Sequence, residues 1–343
     1  MTAEGALRLE EAQRLFSPEG VYLNTASYGL PPLPGWEAMQ AALDEWRHGR
    51  TGFDEWNESV GAARASWARL AGVEPADVAI GPQVSPFVGL VAASLPRGAR
   101  VLCAEEDFTS VLFPWLAQDL RVEFAPLDRL AEAVTAGTDL VVVSAVQSRD
   151  GRLADLDAIA ACGARTFVDA TQACGWMPFD AGRFDYVVCG GYKWLLGPRG
   201  TAFFYARDRE ALVPAAAGWY AAEEPMANLY GPPLRLAGDA RALDVSPAWH
   251  CWVGHAPGLA LVERVGVEAI HAHDVALARR FARGLALPEG DSAIVSLDLP
   301  EAAADRLAAA RVRAAGRGGL VRFSFHLYNT EADVDRALEV LAV

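Results

Sequence analysis

The stretch VDATQACGWMPFDAGRFDYVVCGGYKWLLGPRG, residues 168–200, sets two chemically loaded side chains beside apolar runs. Asp169 sits within TFVDA (166–170), and Lys193 follows DYVVCG (185–190) after Gly191 and Tyr192. Both runs are solidly apolar and do not alternate, which is the pattern of strands buried on both faces of a largely parallel sheet. A carboxylate at the carboxyl end of such a strand stands where open α/β sheets bind ligands. Gln172 follows three residues after Asp169, in the next turn, and GPRG (197–200) closes the lysine segment. Taken singly, Asp169 reads as a helix cap and Lys193 as a solvated lysine. Their conjunction at two strand ends reads as a ligand site.

Working outward, further strand candidates are VAI (78–80), RVLCA (100–104), RVEFA (121–125), LVVVSAV (140–146) and AFFYA (202–206), making seven. Ala/Leu-rich stretches such as LDRLAEAVTAG and DLDAIAACGA lie between several of them and read as covering helices. The rhythm breaks over 208–250, where Pro, Gly and Trp are scattered through an irregular segment; a loop this long is usually functional. A helical pattern resumes from Ala256 to Leu285. A strand (AIVSLDL), a helix, a strand pair around RVRAAGRGGLVRFSFH and a terminal helix then complete a smaller α+β domain. The expected division is an N-terminal helical segment (1–20) packing with the small domain, a large domain (21–255) and a C-terminal domain (256–343).

Composition narrows the function. The chain has 343 residues, 52% hydrophobic, with a net charge of −14 and no Lys/Arg cluster, which argues against nucleic acid. No apolar run approaches the roughly 18 residues of a membrane span. The N-terminal MTAEGALRLEEAQRLF reads as an acidic amphipathic helix without the features of a secretory signal. The five cysteines are scattered, with no CxxC pair, so no disulfide framework and no metal site is expected. Free thiols fit a reducing cytoplasm.

Together with LVRFSFHLYNTEADVDRAL (320–338), the 168–200 stretch resembles the class V aminotransferase family of pyridoxal-phosphate enzymes, of fold type I. That group includes cysteine desulfurases, kynureninase and isopenicillin-N-epimerase-like proteins. The resemblance implies that Lys193 holds pyridoxal 5′-phosphate as a Schiff base, that Asp169 pairs with the pyridine nitrogen, and that Gln172 bonds the ring 3-oxygen. It places the phosphate at VAIGPQVSPFVGL, with Val84 and Ser85; Ser85 is the expected N-cap and Pro86 the first helical residue. The family has small hydroxyl residues here, so Val84 departs from its pattern. Phe108 would stack on the cofactor ring, whereas Phe113 and Trp115 read as core. Tyr192 would stand beside the cofactor, and Arg322 would grip the substrate α-carboxylate. Asn24, Ala26 and Ser148 fall at substrate-contacting positions. Ser246, in LDVSPAW, falls at a turn that reaches the neighbouring subunit's phosphate, which implies a homodimer with shared active sites.

The resemblance leaves the reaction open. The segment RLAAARVRAAGRGGLVRFS (306–324) holds no cysteine, and Tyr192 stands where desulfurases carry a histidine, so persulfide chemistry is disfavoured. An aminotransferase or β-eliminating lyase is the expectation, with loss of the α-proton to Lys193 as the shared step. A racemase or epimerase is the alternative, and a non-catalytic binding protein the remaining one.

Overall fold

The computed structural model describes residues 6–342. The chain opens with α1 (Leu9–Gln13), β1 (Val21–Tyr22), α2 (Leu33–Arg47) and α3 (Phe53–Leu70). The first helix is thus shorter than its pattern predicts, and residues 1–5 lie outside the described part. The central sheet is then laid down with its crossovers: β2 (Val78–Gly81), α4 (Val84–Ser94), β3 (Arg100–Ala104), α5 (Thr109–Leu116) and β4 (Arg121–Ala125). After it come β5 (Leu140–Ser144), α6 (Leu156–Ala160), β6 (Arg165–Asp169), β7 (Tyr186–Gly190) and β8 (Ala202–Ala206).

All seven expected strands form one sheet, ordered β2-β8-β7-β6-β5-β3-β4. The pairs among β7, β6, β5, β3 and β4 are parallel, and β8 alone runs antiparallel to both its neighbours. The apolar runs have their cause in this topology. Trp67 of α3 stacks on Phe203 of β8 at 5.3 Å on one face, and Phe87 of α4 stacks on Phe204 at 4.9 Å on the other. Successive residues of one strand therefore face two cores, and neither face admits a polar alternation. The crossover over 127–137 differs from expectation: only Leu127–Arg129 makes a 3-10 turn, and Thr135 and Thr138 hydrogen-bond one another's turn in place of a helix.

The 208–250 segment is irregular, as its composition predicts, with short 3-10 turns at Trp219–Ala221 and Ala240–Leu243. The single helical pattern over 256–285 resolves into two helices, α7 (Trp249–Val265) and α8 (Val267–Gly284). They are separated by Gly266, whose φ of 89° lies in the region that favours glycine. The chain ends with β9 (Ile294–Leu297), α9 (Glu301–Ala309), β10 (Val312–Arg313), β11 (Ala315–Arg317), β12 (Leu320–Ser324) and α10 (Glu331–Leu341). The hydroxyl of Thr330 caps α10 by accepting from the Asp333 N–H, as expected. β11, β12 and β9 form a small antiparallel sheet over a core that includes Phe281 and Phe323. β1 pairs with β10, and Asn24 bridges to Ser324, so residues 21–24 join this C-terminal layer.

One buried ion pair fastens the irregular segment to the sheet. Arg64 on α3 donates to both carboxylate oxygens of Asp244, at 3.2 and 2.5 Å. Asp244 also accepts the Ile80 N–H of edge strand β2 at 2.7 Å, and Arg64 donates to the Val78 carbonyl. Removing one partner strands the other charge in the interior. Asp244→Ala should therefore lower unfolding stability by about 3–5 kcal/mol in denaturant titration; a loss below about 1 kcal/mol would contradict this account of the clamp.

Candidate active site

The parallel strands aim their carboxyl ends at one cavity of about 370 Å³. β3 connects outward to β4, the chain returns to β5 on the other side of β3, and a crevice opens between β3 and β5. Such a reversal of strand order is where open α/β sheets accept ligands. At this crevice Asp107, just past β3, accepts the backbone N–H of Ser144 at 2.6 Å and its hydroxyl as well, and also the Phe108 N–H at 2.7 Å. Burial pushes the Asp107 carboxyl above its ordinary value.

Asp169 ends β6 and Lys193 follows β7, the adjacent strand, so neighbouring strand ends present the two side chains together. Both are about 6% exposed. Burial raises the Asp169 carboxyl to about 6, although the Thr171 N–H donates to it at 2.8 Å. Burial lowers the Lys193 ammonium to about 7, against the pull of Asp169 and with the push of Arg322. A lysine so placed is substantially a free amine near neutrality, the state a nucleophile or base requires.

Two further buried histidines hold the lysine loop. His255 donates from Nε2 to the Leu195 carbonyl at 3.1 Å, and its ring presses on the loop backbone where a Cβ at Gly191 or Gly197 would meet it within 2.5 Å. His326 bonds the Trp194 carbonyl at 3.0 Å through Nε2 and Asp274 at 2.9 Å through Nδ1. A carbonyl can only accept, so His326 Nε2 carries a proton. Burial then favours the neutral pair, with Asp274 protonated and His326 uncharged. Between these supports Leu196 adopts a left-handed φ of 61°, costing roughly 1–2 kcal/mol that the surrounding bonds offset.

The sequence-selected residues fall as follows. Lys193, Asp169, Gln172, Val84, Ser85, Phe108, Tyr192, Arg322, Ala26 and Ser148 all line the cavity. Gln172 is engaged on both sides of its amide: Nε2 donates to the Ala26 carbonyl at 3.0 Å and to Ser148 Oγ at 3.1 Å, and Oε1 accepts from Trp194 Nε1 at 2.8 Å. Phe108 presents its ring 5.8 Å from Lys193 Nζ. Asn24 stands behind the wall, with its buried Oδ1 unpartnered. Ser246 is exposed and outside this chain's cavity.

Two expectations are corrected. α4 begins at Val84 with Gln83 as its N-cap, so Ser85 is not the cap and Pro86 is the third helical residue. Proline fits there because first-turn N–H groups have no intrahelical partner. Gln83, Val84 and Ser85 at the start of the helix still line the cavity. Phe113 is 61% exposed and belongs to no core, whereas Trp115 is fully buried.

Arg322 is the most demanding member. It is 1% exposed, and its Nη atoms donate to the Ser148 carbonyl, to Ser148 Oγ at 3.0 Å and to Ser27 Oγ at 2.8 Å, all neutral. Its Nε has no partner among the described residues. Burial lowers the guanidinium only to about 10, so it stays charged at neutral pH. Residues that sequence reasoning missed are Asp107, Ser144, Thr171, Arg199, Arg317, His326 and Asp274. Only Asp107 left a local signal, as an acid three residues beyond an apolar strand.

The sequence model of the family described as Aminotransferase class-V matches residues 88–298. An uncharacterized aminotransferase, YcbU, of Bacillus subtilis (strain 168) is 29% identical over 97% of both chains. The isopenicillin N epimerase of Streptomyces clavuligerus is likewise 29% identical over 97% of both. The kynureninase of Deinococcus radiodurans is 30% identical over 62% of this chain and 58% of its own. Among solved structures, the cystine C-S lyase C-DES superposes with a TM-score of 0.85 at 21% identity, covering 94% of this chain and 97% of that one.

The two buried histidines differ in their response to pH. Burial depresses His255 from its ordinary 6.5 to about 3, and its Nδ1 is unpartnered. The unfolded chain therefore binds one proton more at this residue between those values. The contribution of neutral His255 is complete above pH 6.5 and is lost as pH falls below it. The His326–Asp274 pair holds one proton when folded and about one when unfolded near pH 5, so it adds little slope. The His255→Gln variant should thus show a shallower fall of the unfolding midpoint from pH 6.5 to 4.5 than the wild type; parallel curves would contradict the assignment.

Proposed function

The chain belongs to the class-V aminotransferase family, and on that premise we propose that it acts on an amino acid as an aminotransferase or a β-eliminating carbon–sulfur lyase. The family makes it an enzyme whose cofactor is pyridoxal 5′-phosphate. The cavity fits that group. Lys193 supplies a buried amine, Asp169 a carboxylate at the next strand end, Phe108 a partly exposed ring, and the first turn of α4 with Ser85 a set of donors for a phosphate. When bound, the cofactor supplies an electron sink for charge developing at the substrate α-carbon.

The chain's own groups then have separate tasks. Asp169, charged above about pH 6, would favour a proton on the cofactor's pyridine nitrogen. Gln172, held by Trp194 and Ala26, would bond the cofactor's ring 3-oxygen. Lys193, lowered to about 7, accepts the α-proton. Arg322 binds the substrate α-carboxylate in its planar fork and so orients the α-hydrogen toward Lys193.

The observation that carries the reading is Arg322, a buried guanidinium whose side-chain and backbone partners are all neutral. An uncompensated interior charge costs several kcal/mol, and an incoming carboxylate removes that penalty. The absence of cysteine from 306–324 disfavours persulfide chemistry. An epimerase remains the second reading, favoured by the full-length likeness to isopenicillin N epimerase.

We further propose a homodimer with shared sites. Support comes from the exposed apolar side chains Trp36, Trp46, Phe53, Tyr230 and Leu234, and from the outward-facing Ser246. The division at residues 21 and 256 is also a proposal; the separate core around Phe281 and Phe323 supports a C-terminal unit, although that core takes in Leu23 and α7 runs across residue 256. No helix among the described residues is long and apolar enough to cross a membrane. The cytoplasm is proposed from the free cysteines.

Incubating the holoenzyme with an amino-acid panel decides the reaction. A keto acid with the cofactor left in its amine form marks transamination, a keto acid with ammonia and a released thiol marks β-elimination, and inversion alone marks the epimerase. No turnover of any amino acid would sink the proposal. With the substrate so found, Arg322→Lys should lower kcat/KM on the order of 100-fold, mostly through KM, because an ammonium cannot make the bidentate bond.

A further inference from the structure

Three arginines line the cavity, and they stand at different depths. Arg322 lies deep and is 1% exposed, whereas Arg317 and Arg199 line the same cavity from exposed positions at its rim. None of the three makes an ion pair with a carboxylate among the described residues; their partners are hydroxyls, carbonyls and a ring. This occurs in a chain whose net charge is −14, so the cavity runs against the average field of the molecule.

The geometry orders these groups by depth. Ser27 Oγ accepts from Arg322 Nη2 at 2.8 Å and from Arg317 Nη2 at 3.1 Å, so one neutral hydroxyl separates a buried guanidinium from an exposed one. Arg317 ends β11, at the tip of the hairpin that returns as β12 carrying Arg322. The tip is tethered by Arg149, which donates to the Gly318 carbonyl at 3.3 Å. Arg199 also lines the cavity and lies 5.0 Å from the centre of the Tyr192 ring. Phe108, Tyr192, Arg199 and Arg317 line the more exposed part of the cavity, so a substrate held at Arg322 with its α-carbon toward Lys193 can extend its side chain toward this rim.

We infer that Arg317 is a specificity residue that reads a second carboxylate, carried at the end of the substrate's side chain, with Arg199 adding to the positive field around it. The inference rests on the amino-acid reading above, in which Arg322 holds the α-carboxylate. It assigns the preferred substrates to amino acids whose side chain ends in a carboxylate.

Unreactive acids test it without turnover. Glutarate and pentanoate share five carbons and differ by one carboxylate, and their binding to the holoenzyme is followed by calorimetry at low salt. The wild type should bind glutarate about two- to fivefold more tightly, the upper part of the range for one exposed ion pair, and added salt should erode the difference. Arg317→Gln should bring glutarate to the level of pentanoate and leave pentanoate within twofold. Arg322→Gln should weaken both. Equal wild-type affinities, binding of neither acid, or an Arg317→Gln variant that weakens both acids alike would overturn the inference. The visible absorbance of the same samples separates this from the reading beneath it, because a protein that never gains colour fails at cofactor binding and not at Arg317.

Discussion

Burial of charge at the carboxyl edge of a parallel sheet is the constraint on which the rest of the molecule depends. Lys193, Asp169 and Arg322 are each nearly inaccessible, and Asp169 and Arg322 act on the charge of Lys193 in opposite directions. In water these groups would be solvated and ordinary. Here low polarizability moves the lysine toward a free amine and keeps the arginine unneutralised until an anion enters. The chemistry proposed for the site needs both conditions at once.

Such a site is tolerable only where the backbone around it is fixed. The lysine loop is gripped through the Trp194 and Leu195 carbonyls by His326 and His255, from the small domain and from α7 respectively. Gln172 ties the turn after β6 to the N-terminal loop at Ala26 and to Ser148, which in turn receives Arg322. Trp194, the neighbour of Lys193, is therefore joined to Arg322 by a chain of hydrogen bonds through Gln172 and Ser148.

The sheet was legible because strands covered on both faces must be apolar throughout, and most of the seven runs announced themselves that way; β4, the exposed edge strand RVEFA, did not. Asp169 and Lys193 were legible because a charge at the end of such a run is conspicuous. Arg322 stood out for the same reason in LVRFSF. The remainder of the site depends on contacts distant in sequence. Asp107 gains its meaning from Ser144, and His326 from Asp274, pairings that no local pattern encodes. Arg317 sits in a polar, glycine-rich hairpin where an arginine is ordinarily solvated, and only Ser27 and Arg322 reveal its place. The start of α4 was misjudged because serine before proline is a strong cap signal, yet a proline is equally comfortable two positions further into the first turn.

The central claim is that Lys193 is the one covalent anchor of the cofactor. Reducing the holoenzyme with borohydride and mapping its peptides by mass spectrometry tests this directly. The account predicts a phosphopyridoxyl adduct on Lys193, the only lysine in the sequence, within the peptide that carries Tyr192 and Trp194, and none on the N-terminal amine. An adduct on a different residue, or an unmodified Lys193 in a protein that has taken up cofactor, would contradict it.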